Sequence, residues 1–250
     1  MNIPNFRDIG GITTRLGKIQ EKRLLRSGEL YQLADADIQA LQDDYNLKLI
    51  IDLRSQPELL EHPDSLVPDA RYLNLDVMAN LDKGNTGFES LLARLDLARV
   101  DEHMKDVYRG VILDKVAAHG YGRFMQEVAD LPAGSALFHC YAGKDRTALG
   151  AILLLDTLGA SKDDIYADYL LTNTMREQAN TIICEEAAAK YNLSTEQTEA
   201  LRQFLLVKEI YIDETYQIID ELYGSTENYI LKGLKVAPET LEKIRTNYIQ

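Results

Sequence analysis

At 250 residues with 46% hydrophobic composition, the chain can bury a core of its own, and its length suits one enzyme-sized unit over residues 1–250. A net charge of −13 excludes a broad electropositive surface for nucleic acid or anionic lipid, although a small cationic pocket can persist within it. The two cysteines, Cys140 and Cys184, give no disulfide framework and are read as reduced thiols.

In chain order, Leu47-Lys48-Leu49-Ile50-Ile51-Asp52-Leu53-Arg54 predicts a short buried strand that carries Arg54 at its end. Asp76 follows the brief apolar stretch Leu73-Asn74-Leu75. Residues Asn80 to Gly87 are turn-rich, and Phe88 to Leu113 carries apolar residues at mixed helical spacing, so residues 80–115 are a candidate lid insertion. A helical hairpin that covers one face of a sheet fits the same pattern equally well. After the turn Pro132-Ala133-Gly134-Ser135, the run Ala136-Leu137-Phe138-His139 predicts a second strand that leads into Cys140.

Thr147 to Leu158 predicts a helix stopped by a left-handed cap at Gly159. Ser161 with Asp164, and Ser194 with Gln197, have the spacing of helix starts, so the second half is mainly helical. The expected architecture is a three-layer α/β fold with a central, mainly parallel sheet and helices on both faces. No apolar run approaches ~20 residues, and the N-terminus lacks a signal-peptide pattern. A cytoplasmic protein without a transmembrane segment is expected, with signal-independent export left open.

The segment His139-Cys140-Tyr141-Ala142-Gly143-Lys144-Asp145-Arg146-Thr147 places a thiol and a guanidinium at the two ends of a five-residue loop. If that loop curls around an anion, its backbone N–H groups converge on phosphoryl oxygens. The following helix then presents its positive end, and Arg146 can bond bidentately. The same field favours a thiolate nucleophile. Such a site needs no metal and no cofactor, and His62, His103 and His119 form no recognisable ligand pair.

HCYAGKDRT resembles the signature loop of the cysteine phosphatase superfamily, and its Ala-Gly-Lys-Asp-Arg core is similar to that of the bacterial atypical tyrosine phosphatases. Members of that family act on phosphotyrosine, phosphoserine or phosphothreonine, and phosphoinositides. Further resemblance lies in Asn5-Phe6-Arg7-Asp8-Ile9-Gly10-Gly11, Arg26-Ser27-Gly28, Ile51-Asp52-Leu53-Arg54-Ser55, Asp168-Tyr169-Leu170-Leu171-Thr172-Asn173 and Tyr223-Gly224-Ser225-Thr226-Glu227-Asn228-Tyr229-Ile230. It therefore runs through nearly the whole chain. Ala148 departs from the glycine common at its position, at no physical cost in a first helical turn.

The resemblance implies a tyrosine-phosphatase-like fold and hydrolysis of phosphate monoesters, chiefly protein phosphotyrosine, through a phosphocysteine on Cys140. Tyr141, Ala142, Gly143, Lys144 and Arg146 would hold the phosphate, with His139 and Thr147 supporting the loop. In this reading Asp145 is the general acid, with Asp76 as the rival donor. Lys144 is either an extra phosphate contact or a solvated rim charge. Arg54 either lines the pocket or bridges to Asp8 or Asp168. A phosphoinositide or dual-specificity phosphatase, a catalytically silent phosphate-binding module and a sulfur-transfer enzyme are the alternatives.

Overall fold

In the computed structural model, residues 1–81 and 88–250 are described, Glu89 and Ser90 by backbone alone. Residues 82–87 of the candidate lid segment lie outside the described residues. In chain order the elements begin with β1 (Arg7–Asp8), β2 (Thr13–Thr14), β3 (Gly17–Lys18), β4 (Leu24–Ser27), α1 (Asp35–Asp43), β5 (Leu47–Asp52), α2 (Gln56–Glu61) and β6 (Arg71–Asn74). They continue with α3 (Phe88–Leu92), α4 (Val100–Leu113), α5 (Lys115–Ala129), β7 (Ser135–His139), α6 (Asp145–Thr157), α7 (Lys162–Tyr191), α8 (Thr195–Leu205) and α9 (Glu209–Tyr223). The chain closes with α10 (Thr226–Asn228), a π-helical turn (Tyr229–Gly233) and α11 (Pro238–Tyr248).

The main sheet has the order β1-β4-β7-β5-β6. Only the β1–β4 pair is antiparallel; β4–β7, β7–β5 and β5–β6 are parallel. Parallel strands buried on both faces read as continuous apolar runs, as Leu47–Asp52 and Ala136–His139 do. A bulge at Lys48 shifts the β5 register between Leu47 and Leu49 and lets Leu47 join Ile50 on one face while Leu49 and Ile51 face the other. The first face packs on Leu41 of α1, together with Leu25 and Leu137. The second packs on α5, α6 and α9 through Phe124, Ile152 and Ile219. The expected three-layer arrangement is thus present.

The helix signals near the second strand hold as well. Helix α6 ends in the positive-φ Gly159, Ser161 caps α7 by accepting from the Asp164 N–H at 3.1 Å, and Ser194 forms a capping box with Gln197 on α8. The candidate lid segment divides differently. Met104, Tyr108, Val111 and Ile112 of α4 lie in the main core, so α4 and α5 form the covering hairpin. Only α3 leaves that core: Leu92 packs with Cys184, Ala187 and Leu201 in a separate cluster built from α3, the distal part of α7, and α8. The apolar spacing of α4 alone did not distinguish covering the sheet from covering the site. Cys184 is a buried packing residue of this cluster, 1% exposed.

Candidate active site

The C-terminal ends of β4, β5 and β7 lie side by side, with Ser27 paired to His139 and His139 to Asp52. Ligands of open α/β sheets bind at that end. There β7 runs into Cys140, the chain turns through Tyr141–Lys144, and α6 starts at Asp145. The turn needs glycine: Gly143 has φ +65°, and a Cβ there would come 2.3 Å from the Ser27 carbonyl oxygen. The loop therefore sits directly on the end of β4.

A cavity of about 480 Å³ opens above the loop, lined by Cys140–Ala142 and Lys144–Arg146 at one side and by Arg176, Ile183, Tyr191 and Phe204 at the other. Cys140 is 2% exposed. A larger hollow of about 610 Å³, walled by Asp156, Lys162, Tyr216 and Arg245, contains no loop residue.

Arg146 is held bidentately by Glu58, with NH1 and NH2 each 2.7 Å from a carboxylate oxygen. Glu58 belongs to the capping box of α2 and also accepts from the Ser55 N–H at 2.8 Å, so helix start and guanidinium are fixed together. Burial raises the Glu58 pKa, but the Arg146 hydrogen bonds and charge and the Ser55 contacts outweigh it and hold the carboxyl below its ordinary value. Asp145 accepts from the Tyr108 hydroxyl at 2.8 Å, and that hydroxyl lies 2.8 Å from the Tyr169 hydroxyl. Asp145 thus has one oxygen fixed by the α4 core and sits at the cavity wall.

His139 is fully buried behind Cys140. Its Nδ1 lies 3.3 Å from the Cys140 carbonyl oxygen, and its Nε2 is 2.9 Å from Asp64 Oδ2, out of line for a hydrogen bond. Burial lowers the imidazole pKa, yet Asp52 and Asp64 together carry it above the ordinary value. Asp52, Asp64 and His139 lie close enough to resemble a metal cluster. The positive charge there comes from Arg54, which bonds Asp52 at 2.8 Å and Asp64 at 2.7 Å.

A model of the tyrosine phosphatase family matches residues 1–250. The chain belongs to the tyrosine phosphatase family. A Cupriavidus necator protein named as a tyrosine-protein phosphatase is 32% identical over 99% of this phosphatase and 86% of its own length. The triple specificity protein phosphatase PtpB of Mycobacterium tuberculosis is 28% identical over 96% of the chain and 95% of its own. A tyrosine-protein phosphatase of Nostoc commune is 32% identical over 63% of the chain and 51% of its own length.

Three expected positions in the phosphatase are corrected by the geometry. Arg54 does not line the cavity: its side chain is 0% exposed and pairs with Asp52, Asp64 and Glu29, not with Asp8 or Asp168. The Lys144 ammonium donates to the Phe204 carbonyl at 2.5 Å and the Leu206 carbonyl at 3.3 Å, and lies 3.5 Å from Asp145 Oδ2. It is buried at 4% exposure, so it is not a solvated rim charge, and it lines the cavity beside Phe204. Burial lowers its pKa against the opposing pull of Asp145. Asp76 accepts from the Met78 N–H at 2.9 Å and is not a lining residue of the cavity.

Thr147 sits in the first turn of α6, after the N-cap Lys144, with its hydroxyl buried and making no hydrogen bond among the described residues. Sequence reasoning missed Glu58, Tyr108 and Arg176. The Ser55-Gln56-Pro57-Glu58 capping-box spacing marked Glu58 as a helix start and nothing more. Tyr108 lay inside the stretch read as a lid or hairpin, and no local pattern marks Arg176. Among the described residues, no helix is long and apolar enough to cross a membrane.

Proposed function

We propose that residues 1–250 act as one catalytic unit that hydrolyses phosphate monoesters, with protein phosphotyrosine as the leading substrate. The observation that carries this reading is Cys140 and Arg146 on one cavity-facing loop, with Asp145 on the same wall. The Cys140 thiolate attacks phosphorus in line, so an S–P bond forms as the P–O bond to the phenol breaks. Arg146 and the loop amides hold the phosphoryl oxygens. Asp145 gives its proton to the departing phenolate oxygen. Water then attacks the phosphocysteine and transfers a proton to Asp145 as the S–P bond breaks, leaving inorganic phosphate and free thiolate.

His139 supports the loop through the Cys140 carbonyl, and the unoccupied Thr147 hydroxyl is a donor for the sulfur or for the intermediate. The Lys144 side chain serves the α8 contact, while its backbone N–H belongs to the phosphate cradle. A second reading, phosphoinositide or dual-specificity turnover, draws on the relative named for triple specificity and on the apolar wall of Ile183, Tyr191 and Phe204.

The test measures phosphate release, without added metal, from a phosphotyrosine peptide, a phosphoserine peptide and phosphoinositide vesicles, for the native protein and Cys140→Ser. Turnover by the native protein alone, ranked with phosphotyrosine first, is expected. Binding of phosphate by both proteins with turnover by neither would instead make the chain a silent phosphate reader.

A further inference from the structure

Three buried side chains from distant parts of the chain donate to the same two loop carbonyls. Asn5 Nδ2 lies 2.8 Å from the Gly143 oxygen and 3.3 Å from the Ala142 oxygen. Arg26 NH2 is 2.9 Å from the Gly143 oxygen, and Arg176 NH1 is 3.1 Å from the Ala142 oxygen. Their exposures are 2%, 0% and 5%. Burying two guanidiniums is costly, and their convergence on two successive peptide groups calls for a reason beyond packing.

Peptide geometry supplies it. In a trans peptide the C=O and the following N–H point to opposite sides of the chain, and no peptide bond among the described residues is cis. Donors that draw the Ala142 and Gly143 carbonyls outward therefore turn the Gly143 and Lys144 N–H groups the other way, toward the inside of the loop. Without the donors those two peptide planes could rotate, because Gly143 lacks the Cβ that restricts φ. Amides aimed in advance do not have to reorganise when negative charge arrives.

The donors are themselves fixed. Arg7 NH1 donates to Asn5 Oδ1 at 2.5 Å, which leaves the Asn5 amide nitrogen facing the loop. Arg7 Nε bonds Asp168 at 2.7 Å, and Arg26 bonds the other oxygen of the same carboxylate. Asp168 thus ties both arginines together, and the Arg26 charge and the Arg7 charge and hydrogen bond hold its pKa low against burial.

We propose that Asn5, Arg26 and Arg176 are positioning residues that preset the oxyanion cradle, acting through the amides of Gly143 and Lys144. This rests on the phosphatase reading of the Cys140 loop. Arg26 substitutions strip Asp168 of a partner, so Asn5→Ala and Arg176→Met, which orphan no carboxylate, carry the test. Two quantities are measured in the intact protein: tungstate affinity by calorimetry, and kcat per site titrated by the phosphocysteine burst.

Each variant is expected to bind tungstate about tenfold more weakly, the equivalent of about 1.4 kcal/mol, and to lose a similar factor in kcat per titrated site. Arg176→Gln, which keeps a neutral donor for the Ala142 carbonyl without a charge in the cavity, should recover part of both. Native tungstate affinity and native kcat per site in the variants, with only a lowered melting temperature, would overturn the proposal and leave these residues as packing. If the protein turns over no substrate but tungstate binding still weakens in the variants, the cradle inference stands while the phosphatase reading falls.

Discussion

At the scale of single residues the reaction depends on which acid reaches the leaving oxygen. Asp145 stands at the cavity wall with one oxygen held by Tyr108, whereas Asp76 is spent on its own turn. General-acid assistance contributes about 10²–10⁴-fold. Asp145→Asn should therefore lower kcat for a phosphotyrosine peptide by at least about 100-fold, and Asp76→Asn should leave kcat within about threefold. An aryl phosphate with a strongly acidic phenol needs less protonation, so its loss in Asp145→Asn should be much smaller. Equal losses for both leaving groups would remove Asp145 from the role. Cys140, Arg146 and Asp145 were legible because they fall in one nine-residue segment with a chemical meaning. Glu58 was not: its partner Arg146 is 88 positions away, and a capping box explains a glutamate at that spacing completely.

At the scale of elements, the loop is linked to its surroundings from two sides. On one side Lys144 ties it to the end of α8, where a cation suits the free carbonyls of a helix C-terminus. Lys144→Met should speed amide exchange in the last turn of α8 by about tenfold or more, since a charge-assisted hydrogen bond contributes about 1.5–3 kcal/mol. Tungstate affinity should stay within about twofold, because the ammonium is already engaged by the Phe204 and Leu206 carbonyls. Weaker tungstate binding with unchanged exchange would return Lys144 to the phosphate. On the other side His139 joins β7 to Asp64, with Arg54 compensating both nearby carboxylates.

The His139 pKa is raised on folding, so protonation favours the native state. That contribution is complete below the unperturbed value of 6.5 and disappears as pH rises through the folded value. Urea stability measured from pH 6 upward into the alkaline range should fall more steeply for the native protein than for His139→Gln. Parallel slopes would show that the ion pair with Asp64 does not couple to folding. β5, β7 and the starts of α7 and α8 were readable from local pattern. β4 was not, because Leu24-Leu25-Arg26-Ser27 is short and carries an arginine whose burial makes sense only with Asp168, 142 residues on, and the Gly143 carbonyl, 117 residues on. The grouping of α3 with α8 and the distal part of α7 was hidden for the same reason: those helices show ordinary patterns, and only their packing with Leu92 identifies them as a group apart from the main core.

At the scale of the whole molecule, a chain of net charge −13 offers an anionic substrate a cavity where Arg146 and Arg176 stand beside the acidic Glu58 and Asp145. The two fields differ in range. Surface charge acts over the Debye length, about 30 Å at 0.01 M salt and about 10 Å at 0.1 M, while buried charges are screened much less. Added salt should remove the long-range repulsion and spare the short-range attraction. For a phosphotyrosine peptide flanked by glutamates, kcat/KM should rise severalfold between about 10 and 150 mM sodium chloride, with a smaller change for a peptide with neutral flanks. Phosphoinositide vesicles, which present many negative charges at once, should show the steepest rise and the lowest rate at low salt. Initial rates across that series at fixed pH provide the check. A fall in kcat/KM with salt would mean that the cationic cavity governs the approach, in which case an anionic membrane surface would compete effectively with phosphotyrosine for this site.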